Sequence, residues 1–253
     1  MKSFKYLAVA GLVGSSALVS APAMAGMSGN AGVMSQYLFR GLEQSDSPSV
    51  YGGLDYAADS GFYVGTWAAT VDFAGTPDGD GGTTGAEVDF YAGFAGGDQV
   101  TYDVGIIYYW YSEEDEATGD SDPTNNTIEV YGALGFGQFG ISGYYAPDTY
   151  FAAVNPDGSD AEGAYGVYLT FSQPLTDKLS FDAAVGMHKG EGNESYGGDD
   201  SGYMEYNLGL SAALDNGFGM SFGLVMTDRD TFGMNGNDDD PKLVVDASYG
   251  FDL

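Results

Sequence analysis

The chain has 253 residues, 37 of them acidic and 7 basic, giving a net charge of −30, and it has no cysteine. So acidic a surface repels phosphate instead of releasing its counterions, which excludes nucleic acid as a partner. No disulfide framework can hold the fold, and 41 glycines, 20 tyrosines and 15 phenylalanines point to paired β-structure with glycine at kinks.

In chain order, residues 1–25 read as a secretory signal peptide. Met1-Lys2-Ser3-Phe4-Lys5 is a basic start, Tyr6 to Val19 is apolar, and Ala23-Met24-Ala25 fits the small-x-small cleavage rule. Gly11, Gly14, Ser15 and Ser16 interrupt the apolar run, which is too short for a membrane-spanning helix. The expected mature chain is a single β-barrel domain, residues 26–253.

That domain carries no helical stripe but about twelve alternating segments, near 31–42, 48–58, 61–74, 86–95, 99–111, 127–136, 138–147, 163–173, 178–188, 202–214, 217–227 and 242–253. The pattern is clearest in the fourth and fifth. Val100, Tyr102, Val104, Ile106, Tyr108 and Trp110 alternate with Thr101, Asp103, Gly105, Ile107, Tyr109 and Tyr111, as Ala86, Val88, Phe90, Ala92 and Phe94 do with Glu87, Asp89, Tyr91 and Gly93. Long polar connections follow the odd segments: Glu43 to Ser47, Gly75 to Gly85, Ser112 to Asn126, Asp148 to Glu162, Lys189 to Ser201 and Asp228 to Pro241. Tight turns follow the even ones. Strands of about 9 to 11 residues, an even strand count and this rhythm predict an all-β fold: a transmembrane antiparallel β-barrel of the outer-membrane type, with about 12 strands.

A secreted soluble barrel or sandwich would instead bury Val104 and Ile106 and show Asp103 to water. The strand lengths, the clustering of long loops at one end, and aromatics near strand ends favour the membrane reading. Tyr63, Trp67, Phe73, Tyr102, Tyr108, Trp110, Tyr249 and Phe251 are expected on the apolar face, where interfacial girdles lie.

Ser35-Gln36-Tyr37-Leu38-Phe39-Arg40-Gly41, Gln44-Ser45-Asp46, Pro48, Gly52-Gly53-Leu54-Asp55-Tyr56, Gly61 to Trp67 and Val71-Asp72-Phe73 resemble the TorF family of porins. The likeness continues through Glu87 to Gly93, Tyr102-Asp103-Val104-Gly105 and Glu129-Val130-Tyr131. It is specific from about residue 33 to 132 and architectural beyond. Glu43 departs from the family pattern, which has a small hydroxyl residue there, and Leu253 replaces a terminal aromatic. The resemblance implies an outer-membrane pore and brings neither a substrate nor site residues.

Enzyme chemistry finds little support. His188, the one histidine, lies beside Met187, Lys189 and Gly190 with no serine two residues away, and reads as a rim residue on strand nine. Glu87 and Asp89 share one strand face, as an acid–base pair would, yet polar residues on a barrel's inner face are the default. Asp78 to Gly82 and Asn235 to Asp240 are rich in oxygen ligands but lack full calcium-loop spacing with a closing glutamate. No catalytic residue, cofactor or metal site is assigned.

The sequence thus leads to a porin for passive diffusion of small solutes or ions, in the outer membrane of a Gram-negative cell, exported through the periplasm, with lipid and lipopolysaccharide around it. Its oligomeric state is left open. With the apolar face against lipid, Asp55, Asp72, Glu87, Asp89, Asp103, Glu129, Asp182, Glu205 and Asp246 should line the pore with the bases Arg40 and Lys242, favouring cations. The loop acids Glu113, Glu114, Asp115 and Glu116 should add attraction at the mouth. The alternatives are a closed structural or binding barrel with acidic surface loops and, third, an outer-membrane enzyme. In the closed case several of the interior acids pair with tyrosine hydroxyls or become protonated when crowded, leaving a neutral or plugged interior.

Overall fold

The computed structural model describes residues 25–253 except 46, 74–82, 113–125, 156, 198–201 and 229–239. The leader up to residue 24, Asp46, the Glu113 to Glu116 run and both candidate calcium loops therefore lie outside the described residues.

The strands are β1 (Gly26–Met34), β2 (Tyr37–Phe39), β3 (Leu42–Ser45), β4 (Ser49–Ala57), β5 (Phe62–Phe73), β6 (Thr83–Gly97), β7 (Val100–Tyr111), β8 (Thr127–Phe136), β9 (Phe139–Val154), β10 (Asp160–Pro174), β11 (Leu179–Lys189), β12 (Tyr203–Ala213), β13 (Phe218–Thr227) and β14 (Lys242–Asp252), with one short helix, α1 (Glu191–Gly197). Among the described residues, β1 and β4 to β14 form a closed twelve-strand antiparallel ring, in which β1 pairs with both β4 and β14 and β5 with β6. Closure satisfies every strand edge, the condition for a sheet in hydrocarbon. No described helix is long and apolar enough to cross a membrane.

The inside and outside of the ring follow the two-residue period. Val104 is 55 % exposed and Phe90 52 %, whereas Ile107 and Tyr109 on the other face of the same sheet are 2 % and 1 % exposed. This is the reverse of the soluble alternative, because the aliphatic face covers the outer wall while tyrosines and carboxylates pack within. The inner wall is levelled by cross-strand pairs of tyrosine and glycine. A Cβ on Gly93 would come within 2.4 Å of the Tyr63 hydroxyl, and one on Gly105 within 2.3 Å of the Tyr131 hydroxyl. Glycine at these positions lets each ring lie along the wall.

Three features differ from the sequence-based expectation. First, the segment expected over 31–42 is two things: the barrel strand begins at Gly26 and ends at Met34, and Tyr37 to Ser45 form the separate hairpin of β2 and β3. Second, β9 and β10 run on through the expected loop Asp148 to Glu162, nearly to its tip. Third, Tyr63 and Trp67 belong to the inner face and not to a lipid-facing girdle. Tyr63 is buried, Trp67 packs edge-on to Tyr37 at 5.7 Å, and the outward set on β5 includes Val64, Thr66 and Ala68. Both faces of β5 are apolar enough to serve either way, so alternation by itself left its side undecided.

Candidate functional site

The hairpin of β2 and β3 leaves β1 and turns inward. Arg40 and Gly41 form its two-residue tip with φ of 54° and 76°, the geometry of the primed turns that match strand twist. Glycine adopts it freely, whereas a non-glycine left-handed residue costs about 1–2 kcal/mol. Tyr37, Leu38 and Phe39 are buried in succession without alternation, as happens when a strand is enclosed on all sides.

Arg40 lies at the centre. Its Nη1 donates to Glu129 Oε1 at 2.6 Å and to the Tyr150 hydroxyl at 2.7 Å, and Nη2 donates to Glu129 Oε2 at 2.7 Å. The guanidinium stands 3.2 Å over the Tyr144 ring and 4.4 Å over Phe39, and the Tyr203 hydroxyl donates to the Arg40 carbonyl at 3.0 Å. A planar fork with two charge-assisted bonds suits arginine where lysine would serve less well. On the hairpin's other flank, the hydroxyls of Tyr37 and Tyr111 donate to Glu87 at 2.7 and 2.6 Å. The tip is thereby tied to β8, β9 and β12, and the flank to β6 and β7.

A second network sits beside it. His188, next to the last residue of β11, lies at the strand's end as its sequence position suggested, but is fully enclosed there. It stacks on Tyr203 at 4.4 Å, and contacts Glu205 through Nε2 at 3.1 Å, Tyr168 through Nε2 at 3.1 Å and Tyr144 through Nδ1 at 2.9 Å. Helix α1 folds over this end and sends Asn193 down to donate to the carbonyls of Tyr165 and Lys189. Glu205 also accepts from Asn207 at 2.7 Å.

Four of the remaining acids are held by hydroxyls. Tyr91 donates to Asp55 at 2.6 Å, Tyr51 to Asp246 at 2.8 Å, and Tyr63, itself in contact with Tyr131, to Asp103 at 2.6 Å. Ser172 and Ser211 each donate to Asp182 at 2.6 Å, and Lys242 pairs with Glu43 at 3.3 Å. Asp89 is buried on the same inner face. Asp72 is the exception among the candidate residues. It falls on the outward alternation with Val64, Thr66, Ala68 and Thr70, at the end of β5 where Ser45 pairs with it in parallel. Register, which local pattern does not set, decided this.

Sequence reasoning missed Tyr37, Tyr144, Tyr150, Tyr203 and Asn193, which hold Arg40, Glu87 and His188. The legible signal was Tyr37-Leu38-Phe39, three large apolar residues in a row immediately before Arg40-Gly41. Among the described residues no group of three His, Asp or Glu side chains is arranged to hold a metal ion.

Residues 19–250 match a family described as "Bacterial protein of unknown function (Gcw_chp)". No curated protein matches the sequence. Among solved structures, the fold is similar to an outer membrane channel from Pseudomonas putida F1 (TM-score 0.54, 10 % identity, covering 90 % of this chain and 97 % of that one). It is also similar to the NanC porin (0.53, 11 %, 90 % and 100 %) and to the KdgM porin in complex with disordered oligogalacturonate (0.51, 9 %, 89 % and 98 %). At such identities the likeness is one of fold.

Proposed function

The chain belongs to the Gcw_chp family of bacterial proteins, and from that premise we propose that it is a porin-type channel of the outer membrane, passing small solutes or ions without catalysing a reaction. One observation carries this reading: a closed twelve-strand ring whose apolar face is turned outward and whose carboxylates are turned inward. The porins and the channel of similar fold support it, as does the resemblance of residues 33 to 132 to the TorF porins. Lipid and lipopolysaccharide are the surroundings such an outer wall requires.

Within this reading the passage prefers cations. Asp55, Asp103, Asp182 and Asp246 face inward, while Arg40 and Lys242 are each already ion-paired. Fixed negative charge in a low-dielectric wall favours cation entry. In a planar bilayer with a potassium chloride gradient, the reversal potential should therefore have the sign of a cation-selective pore. Changing Asp55, Asp103 and Asp246 together to asparagine, which keeps an acceptor for each tyrosine, should lower the cation-to-anion permeability ratio severalfold. Anion preference in the unmodified protein would sink the proposal.

Export goes with it. Protein recovered from outer membranes should have the intact mass of a chain starting at Gly26; retention of residues 1–25 would contradict cleavage after Ala25. A closed barrel is the second reading, and two features favour it: the hairpin packed into the interior around Arg40, and the tyrosine hydroxyls that engage Asp55, Asp103 and Asp246. The absence of any steady conductance would select it.

A further inference from the structure

Asp89 differs from every other interior acid described above. It is 0 % exposed, and neither carboxylate oxygen has a hydrogen-bond partner among the described residues. The neighbouring charges are already committed. Glu129 engages Arg40 with both oxygens, and Glu87 receives Tyr37 on one oxygen and Tyr111 on the other. Of these three enclosed carboxylates, Arg40 bonds to Glu129 alone among the described residues.

An isolated carboxylate taken out of water costs several kcal/mol even after relaxation, so it either takes up a proton or has its charge compensated locally. The surroundings indicate by what. Trp67 stands directly opposite Asp89 on β5 and Tyr109 directly opposite on β7, while Glu87 and Tyr91 flank it on its own strand face. Carboxylate oxygens are the ligands of hard cations, and aromatic faces add a favourable quadrupole. A divalent ion would call for more ligating side chains than the described residues assemble.

We propose that Asp89 anchors a binding site for a small monovalent cation, sodium or potassium, inside the barrel between β5 and β7. The site stands on the unpartnered carboxylate and is independent of whether the barrel conducts. Its charge would complete the compensation that Arg40 begins, and would help hold the aromatic packing of Tyr37 and Trp67 around the hairpin.

Two measurements on the full chain in detergent test it. Crystals grown with thallium(I) in place of potassium should show one anomalous peak beside the Asp89 carboxylate. The folded barrel, read on a denaturing gel as a band that shifts on heating, should also survive to a higher temperature in potassium or sodium chloride than in choline chloride of equal ionic strength. Asp89→Asn should abolish both effects, whereas Asp103→Asn should keep both. No thallium at Asp89, equal stability in choline, or a peak that persists in D89N would each overturn the proposal, leaving a proton as the compensating cation. D89N removes a buried charge at constant shape; should it fail to assemble, the thallium peak in the unmodified protein decides. Zero conductance would defeat the channel reading and leave this site standing.

Discussion

Replacing residues 35–48 by a two-residue Asn-Gly turn is expected to raise single-channel conductance at least severalfold while leaving the barrel intact. The junction is geometrically available, because Met34 and Ser49 are paired directly across β1 and β4, and Asn-Gly is a preferred two-residue connection between antiparallel strands. What the deletion removes is the material that fills the interior: Tyr37, Leu38, Phe39 and Arg40 are all buried there. Arg40→Ala is a milder route to the same state. It leaves Glu129 enclosed without its partner, a loss of about 3–5 kcal/mol when one half of a buried pair is removed, and alanine, which also carries a Cβ, keeps the left-handed strain at position 40. The hairpin tip would then be released from β8. Arg40→Lys should fall between, since an ammonium cannot reproduce the bidentate bond to Glu129 and the bond to Tyr150 together. Unchanged conductance in the deletion variant, with heat-dependent gel migration retained, would show that the hairpin does not limit passage.

The second large effect concerns closure. Removing Lys242 to Leu253 deletes β14, whose pairings with β1 and β13 complete the ring. Both partners would then expose unpaired backbone N–H and C=O groups to hydrocarbon, at several kcal/mol for each group. The loss is far greater than the marginal stability of a folded domain, about 5–15 kcal/mol. Unheated full-length protein should migrate differently from heated protein on a denaturing gel, and the truncated chain should show a single, heat-independent band. A truncated chain that keeps the heat-sensitive form would mean that closure is not what stabilises the fold.

A two-residue period with strong contrast between faces is a local property, which is why the sequence alone determined the barrel, its strand number and the orientation of β6 and β7. Ile106 and Ile107 are neighbours in sequence with 44 % and 2 % exposure, and their flanking residues already assign them to opposite faces. Inward placement of Asp55, Glu87, Asp89, Asp103, Glu129, Asp182, Glu205, Asp246 and Lys242 was legible in the same way. Only the tertiary structure decided the side of Tyr63 and Trp67 and the outward alternation of Asp72, because β5 is apolar on both faces and takes its orientation from its register with β4 and β6. The depth of His188 depends on Glu205 and Tyr168, and on α1 folding over that end. The interior position of Arg40 depends on Glu129, 89 residues away in sequence. No local period encodes such a pairing: β2 is buried on every side, so its three apolar residues show no alternation, and what encloses them exists only once the ring has closed.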